Sequence, residues 1–65
     1  MEKNGRRLLN IKELSDWLGI PVWQIRNLVR QHRIPVIHID RRLRFDIESI
    51  DKWLKENEEN PVEVP

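Results

Sequence analysis

Apolar side chains recur at helical spacing over residues 11–18 and predict a first helix. Its apolar stripe consists of Ile11, Leu14, Trp17 and Leu18, all of which we expect to face the core. Asn10 and Glu13 have the spacing of a capping box, in which each side chain accepts a hydrogen bond from the backbone of the other. Gly19 supplies the left-handed conformation in which many helices end.

A second apolar stripe predicts another helix, which begins near Pro21 after a join of only a few residues. One face of this helix carries Ile25, Leu28 and Val29. The opposite face carries Trp23, Asn27 and Arg30, with Arg26 and Gln31 at its flanks. Pro35 disfavours a helix at the residue before it and so marks the change to extended chain.

Apolar and polar residues alternate over residues 37–39 and 42–45, which predicts a β-hairpin over residues 36–45. A two-residue turn at positions 40–41 would pair Ile39 with Arg42 and place isoleucines and arginines on one face. A three-residue turn at positions 40–42 instead pairs Ile39 with Leu43, and leaves His38 and Arg44 on the other face. We expect the three-residue turn, because it separates apolar from polar side chains.

A third helix is predicted after Asp46, which is a good N-cap residue. Its buried stripe consists of Ile47, Ile50, Trp53 and Leu54. Beyond Lys55 the chain is acidic, contains proline and has no periodicity, a composition typical of disorder. The predicted organisation is a flexible basic arm over residues 1–8, one folded domain over residues 9–55 and an acidic disordered tail over residues 56–65.

The net charge of +1 conceals opposite charges in the two parts of the chain. Residues 1–44 contain ten Lys or Arg against four Asp or Glu, a net charge of +6, whereas residues 45–65 contain two against seven, a net charge of −5. Such asymmetry indicates a body that faces a polyanion and an acidic end. A solvated surface without any partner has the same signature, so charge alone leaves both interpretations open.

The arginines concentrate in the second helix and in the hairpin, where they predict contact with duplex DNA. A helix that exposes Asn and Arg can reach base edges in the major groove. A short cationic hairpin can follow the phosphate backbone or enter the minor groove. An exposed Trp23 should meet a sugar, a base or another subunit, the alternative being packing within the domain. The candidate DNA-binding residues are Trp23, Gln24, Arg26, Asn27, Arg30, Gln31, Arg33, His38, Arg41, Arg42 and Arg44.

The sequence contains no pattern typical of catalysis or of a bound cofactor. It has no cysteine, and neither histidine has further ligands at a metal-like spacing. Neither serine has a base at a recognisable spacing, and there is no glycine-rich phosphate loop. No apolar run is long enough for a membrane span. We therefore expect a cytoplasmic protein that is not an enzyme and that uses no catalytic residue, metal, cofactor, membrane or small-molecule effector.

Residues 9–14, Leu-Asn-Ile-Lys-Glu-Leu, and residues 17–20, Trp-Leu-Gly-Ile, resemble the opening of the excisionase and MerR-like DNA-binding family. The Ile34-Pro35 pair, the cationic hairpin and residues 50–54, Ile-Asp-Lys-Trp-Leu, resemble the remainder of the family pattern. The resemblance covers residues 9–54. It implies a mainly α fold with a small β-hairpin, a winged helix-turn-helix of order α-α-β-β-α. In that family the second helix enters the major groove and the hairpin contacts adjacent backbone or minor groove.

The chain departs from the family pattern at three places. Pro21 stands where the family usually has a Ser or Thr cap, and Val22, Trp23 and Gln24 replace hydroxyl-bearing residues of the next turn. His32 replaces a glycine after the second helix, and Asp40 with Arg41 replaces glycines at the tip of the hairpin. The departures at residues 21–24 bear on base specificity, and those at residues 40–41 indicate a stiffer, more charged tip.

The resemblance implies sequence-specific binding of double-stranded DNA by a small stand-alone domain. The family includes excisionases, which bend DNA and direct an integrase toward excision, and small transcription regulators. We expect one of these two roles, with an integrase or further copies of the chain as additional partners. The alternatives are a protein–protein interaction module that uses Trp23 and the acidic tail, or a DNA-binding head that belongs to a larger regulator.

Overall fold

The computed structural model describes residues 7–58, which form three helices and three short strands. In chain order the elements are β1 (Leu8–Leu9), α1 (Ile11–Leu18), α2 (Val22–Arg30), β2 (Ile37–Ile39), β3 (Arg42–Asp46) and α3 (Ile47–Glu56). The predicted fold class, mainly helical with a β-hairpin, is confirmed. What the sequence predicts for residues 1–6 and 59–65 lies outside the described residues.

Helix α1 begins and ends at the residues that the sequence predicts. Glu13 donates its backbone N–H to Asn10 Oδ1 at 2.7 Å, and Asn10 donates its own to Glu13 Oε1 at 2.9 Å, which completes the capping box. Gly19 has φ 74° and donates its N–H to the Ser15 carbonyl at 2.8 Å. The Ser15 hydroxyl donates to the Ile20 carbonyl at 2.6 Å, so the turn before α2 is fixed to the end of α1.

Helix α2 ends at a backbone motif well before Pro35. Arg33 donates its N–H to the Leu28 carbonyl at 2.9 Å, and His32 donates to the Val29 carbonyl at 3.0 Å. These two hydrogen bonds form a Schellman motif, in which His32 has φ 58° at a position that glycine usually occupies. The end of α2 is therefore set by its own backbone hydrogen bonds rather than by the proline.

The core is small and receives one buried apolar side chain from each helix, one from β3 and one from the loop between α2 and β2. Its buried residues are Leu14, Ile25, Ile34, Phe45 and Ile50. Helix α1 contacts both α2 and β3, and α3 contacts β3. Helix α1 therefore links the second helix to the sheet.

Trp17 is 46% exposed, so its predicted place in the core is wrong. At about 100° per residue it lies about 60° from Leu14, at the edge of the apolar stripe. The core buries Leu14 but is too small to cover a side chain that lies this far around the helix. Leu54, predicted to be buried, is likewise 37% exposed. Trp53 does pack against the core, and its indole N–H donates to the Arg33 carbonyl at 2.8 Å.

The hairpin has the two-residue turn, so the predicted three-residue turn is wrong. Ile39 pairs with Arg42, His38 with Leu43 and Ile37 with Arg44. The residue that packs against the core in this segment is Val36, which lies just before β2. Alternation along the strand then turns Ile37 and Ile39 to the outer face. His38 and Arg44, predicted to share a face, lie on opposite faces. Asp40 permits the short turn by adopting φ 56°, which aspartate tolerates better than most residues.

Strand β1 is an element that the sequence does not predict. Leu8, predicted as the end of the flexible arm, pairs with Asp46, and Leu9 pairs with Phe45. Ile47 also donates its N–H to the Arg7 carbonyl at 3.1 Å. The sheet order is therefore β1-β3-β2, with β3 at the centre.

Replacing His32 with glycine should raise the free energy of unfolding by about 0.5–1 kcal/mol, because glycine adopts the left-handed conformation without a Cβ penalty. His32→Ala is the matched control, since it removes the imidazole but retains the Cβ, and it should give no such gain. Urea unfolding followed by tryptophan fluorescence measures both variants. Equal stability of the two variants would contradict the role assigned to this position.

Candidate nucleic-acid interface

The exposed face of α2 presents an aromatic residue followed by a linked pair of polar side chains. Trp23 is 64% exposed in the first turn of the helix. One turn later Asn27 is half-buried, and Arg30 Nη1 donates to Asn27 Oδ1 at 2.9 Å. A guanidinium has several donors, so Arg30 can hold Asn27 and contact a base or a phosphate at the same time.

Helix α2 begins without a side-chain cap. Pro21 occupies the N-cap position with φ −70° and ψ 154°, and its side chain has no acceptor. The Pro21 carbonyl accepts the N–H groups of Gln24 at 3.0 Å and Ile25 at 3.3 Å. The preceding amides of the first turn have no acceptor within the helix and lie at the positive end of its dipole. This end of α2 is suited to an anion such as a DNA phosphate.

The other predicted residues of α2 are also on the surface. Gln24 and Arg26 are exposed, as are Gln31 at the C-cap and Arg33 after it. Arg33 Nη1 donates to Gln31 Oε1 at 3.4 Å, and the Arg33 carbonyl accepts the indole N–H of Trp53. The cationic C-terminal end of α2 is thereby held against α3.

A second group of cationic side chains, besides those of α2, lies on the hairpin. We call this hairpin the wing, and it consists of residues 37–46, with β2, β3 and the turn between them. Arg41 in the turn and Arg42 at the start of β3 are exposed. Arg44 is half-buried, and its Nη1 donates to the Leu43 carbonyl at 2.8 Å. His38 is exposed, but it lies on the face opposite Arg42 and Arg44. The outer face of the wing therefore combines arginines with isoleucines.

The predicted residues lie in two groups, one on and just after α2 and the other on the wing. The α2 group contains two linked pairs, Asn27 with Arg30 and Gln31 with Arg33. The wing group contains Arg42 and Arg44 on the outer face and Arg41 at the tip, without His38. Helix α1 contacts both α2 and β3, so one helix supports both groups.

Four of the exposed large apolar residues that the structure describes are absent from the predicted set, and the two most exposed of them are Trp17 and Ile39. Trp17 is 46% exposed on α1 and Ile39 is 45% exposed at the end of β2. Aspartate at position 40 is compatible with the two-residue turn that turns Ile39 outward, but it does not select that turn over the three-residue one. For Trp17 the available signal was its place at the edge of the apolar stripe.

Between residues 7 and 58 no group of His, Asp and Glu side chains is arranged to hold a metal ion. That part of the chain also contains no pocket. None of its helices has the length and apolar character needed to cross a membrane.

A family model described as a helix-turn-helix domain matches residues 8–58. The match begins in β1 and ends just after α3, so it includes the three helices and the sheet. No curated protein matches the chain, and no solved structure matches it.

Replacing Trp53 with phenylalanine should lower the free energy of unfolding by about 1 kcal/mol, because the Arg33 carbonyl loses its donor while the aromatic ring is largely retained. Trp17→Phe is the control, since Trp17 is exposed and its change should cost less than about 0.5 kcal/mol. Urea unfolding followed by circular dichroism avoids dependence on the replaced fluorophore. A Trp53→Phe variant as stable as Trp17→Phe would show that the hydrogen bond does not hold α3 against the end of α2.

Proposed function

The chain belongs to the helix-turn-helix domain family, and from that premise we propose that it binds specific duplex DNA sequences with α2 in the major groove and the wing beside it. Helix-turn-helix domains bind DNA and are typically not enzymes, so DNA is the partner of this chain. What we propose beyond DNA binding is which residues make the contacts and which biological role the chain has.

The observation that carries the proposal is the exposed face of α2. The second helix of such a domain lies in the major groove with its N-terminal residues toward the base edges. In this chain that end of α2 carries Trp23, with the Asn27–Arg30 pair one turn further along. Arginine matches the acceptors of guanine and asparagine matches the edge of adenine. The hydrogen bond between Asn27 and Arg30 positions both groups before DNA is bound.

The wing supplies the second contact in this proposal. Arg41 and Arg42 are exposed at its tip, where they can pair with phosphates next to the groove that α2 occupies. Arg44 is tied to the Leu43 carbonyl and so lies along the sheet, farther from the tip. Contacts of this kind fix the register of the protein on DNA more than they select a sequence.

We further propose that the chain acts as an excisionase-type directionality factor or as a small transcription regulator. The support is the series of residues that resembles the excisionase and MerR-like family. A single domain of this size buries only about 600–1,000 Å² on DNA, so occupancy would gain from neighbours such as an integrase or further copies of the chain. Binding to an integrase, measured with and without attachment-site DNA, separates the recombination role from regulation at a promoter.

The exposure of two tryptophans favours a second candidate function, a protein–protein interaction module. Trp23 is 64% exposed and Trp17 is 46% exposed, and large apolar side chains at a surface often mark a binding site. This function does not exclude DNA binding. It requires that a protein partner, rather than DNA, cover at least one of these indoles.

Binding to DNA should depend steeply on salt, because each phosphate neutralised on duplex DNA contributes about 0.9 to the slope of log K against log salt concentration. From the number of exposed arginines we expect roughly four to six phosphate contacts and a slope of about −4 to −5. Duplexes are first selected from a random pool with the full chain, and fluorescence anisotropy then gives the affinity between low and high salt. An affinity that does not change with salt would refute the proposal.

Replacing Asn27 or Arg30 with alanine should weaken binding to the selected duplex by about 1–3 kcal/mol and reduce discrimination against random duplex. Because the two side chains are hydrogen-bonded, the double variant should lose less than the sum of the single losses. Arg42→Ala or Arg44→Ala should weaken binding to both duplexes by similar factors. Lys52→Ala, which removes a cation from the exposed surface of α3, is the matched control and should leave affinity nearly unchanged. Equal discrimination by the α2 variants and the wild type would exclude α2 as the reading element.

A further inference from the structure

The register of the wing exposes an isoleucine beside its arginine-rich tip. Ile39 is the last residue of β2, pairs directly with Arg42 and is 45% exposed. Directly paired residues of an antiparallel sheet lie on the same face with their Cβ atoms about 5 Å apart. The alternative three-residue turn would have turned Ile39 toward the core. The observed turn therefore places an apolar side chain on the exposed outer face of the wing, next to its tip.

The neighbours of Ile39 indicate that this surface faces DNA rather than an apolar partner. Arg42 lies across the hairpin from it, and Arg41 lies in the adjoining turn. Among residues 39–42, which form the tip, the only opposing charge is Asp40, whose φ of 56° makes the short turn possible. An apolar side chain among guanidinium groups is the combination with which many proteins enter the minor groove, where arginines meet the negative potential and the apolar group wedges between base pairs.

The dimensions of the wing limit which part of it can enter. The minor groove of B-form DNA is about 6 Å wide, whereas two paired strands with their side chains are wider. The hairpin can therefore enter only by its tip, which consists of the turn and the side chains of the first pair behind it, and a two-residue turn gives the narrowest tip. Ile39 and Arg42 are the first paired residues behind that turn.

We propose that Ile39 is a specificity-determining residue, which enters the minor groove beside Arg42 and partly unstacks one flexible pyrimidine–purine step. The inference rests on the proposed DNA binding and adds a role to it, because the wing then reads how easily the DNA deforms. Pyrimidine–purine steps unstack more easily than A-tracts, which are stiff. Selectivity at this step needs no hydrogen bond to a base.

The test combines a change in the protein with a change in the DNA. Hydroxyl-radical footprinting of the selected duplex identifies the step that the tip contacts, as the minor-groove position that the wild type protects and Arg41→Ala does not. A TA step at that position is then replaced by an AA step. Wild-type protein should lose about tenfold in affinity, a typical cost for one unfavourable base pair, and Ile39→Ala should lose almost none. In a second readout, 2-aminopurine at the step should brighten on binding of the wild type and not of Ile39→Ala.

Leu8→Ala is the matched control, because Leu8 is 39% exposed on the other edge strand of the same sheet and should behave as the wild type in both measurements. Ile39→Leu retains an apolar side chain and should restore the preference for the TA step. Circular dichroism melting shows that each variant is folded. If Ile39→Ala and the wild type discriminate equally between the two steps, the inference is wrong, and this face is then open to a protein partner. That result is distinct from failure of the proposed function, in which the wild type would bind no duplex in a salt-dependent way.

Discussion

The alternation of side chains along β3 is the constraint on which the rest of this domain depends. Leu43 and Phe45 turn toward the core, and Phe45 is fully buried. The intervening residues Arg42 and Arg44 must therefore face outward, because successive side chains of a strand point to opposite faces. The same strand pairs with β1 and β2 and contacts α1 and α3. Its burial fixes the sheet, and the sheet fixes where the wing presents its charge.

The parts of the fold that local signals determine could be predicted from the sequence. The capping box at Asn10 and the left-handed Gly19 bound α1, and Asp46 caps α3 by accepting hydrogen bonds from Ser49. Each of these signals acts within a few residues, so no knowledge of the tertiary structure is needed. The exposed face of α2 followed in the same way from its helical period.

The parts that depend on distant contacts could not be predicted. The hairpin register was wrong because the apolar period of β2 does not show that Val36, rather than the isoleucines, reaches the core. Strand β1 contains two residues, too few for any period, and exists because Leu9 pairs with Phe45 from the far end of the domain. Trp17 was misplaced because a stripe shows direction but not how far a small core extends. For the candidate site, the α2 residues were predicted together, whereas the grouping on the wing changed with the register.

The hydrogen bond from Trp53 to the Arg33 carbonyl joins residues that are 20 positions apart, and the wing lies in the loop that it closes. In a chain without cysteine, this hydrogen bond closes the loop without a disulfide and restricts the conformational freedom that an open loop would have. Trp53 lies in the last turn of α3, and helices fray most readily at their ends. Opening there would release the end of α2 and the base of the wing together. The two candidate DNA-binding groups are thus expected to gain and lose their order as one cooperative unit, although they lie on separate elements.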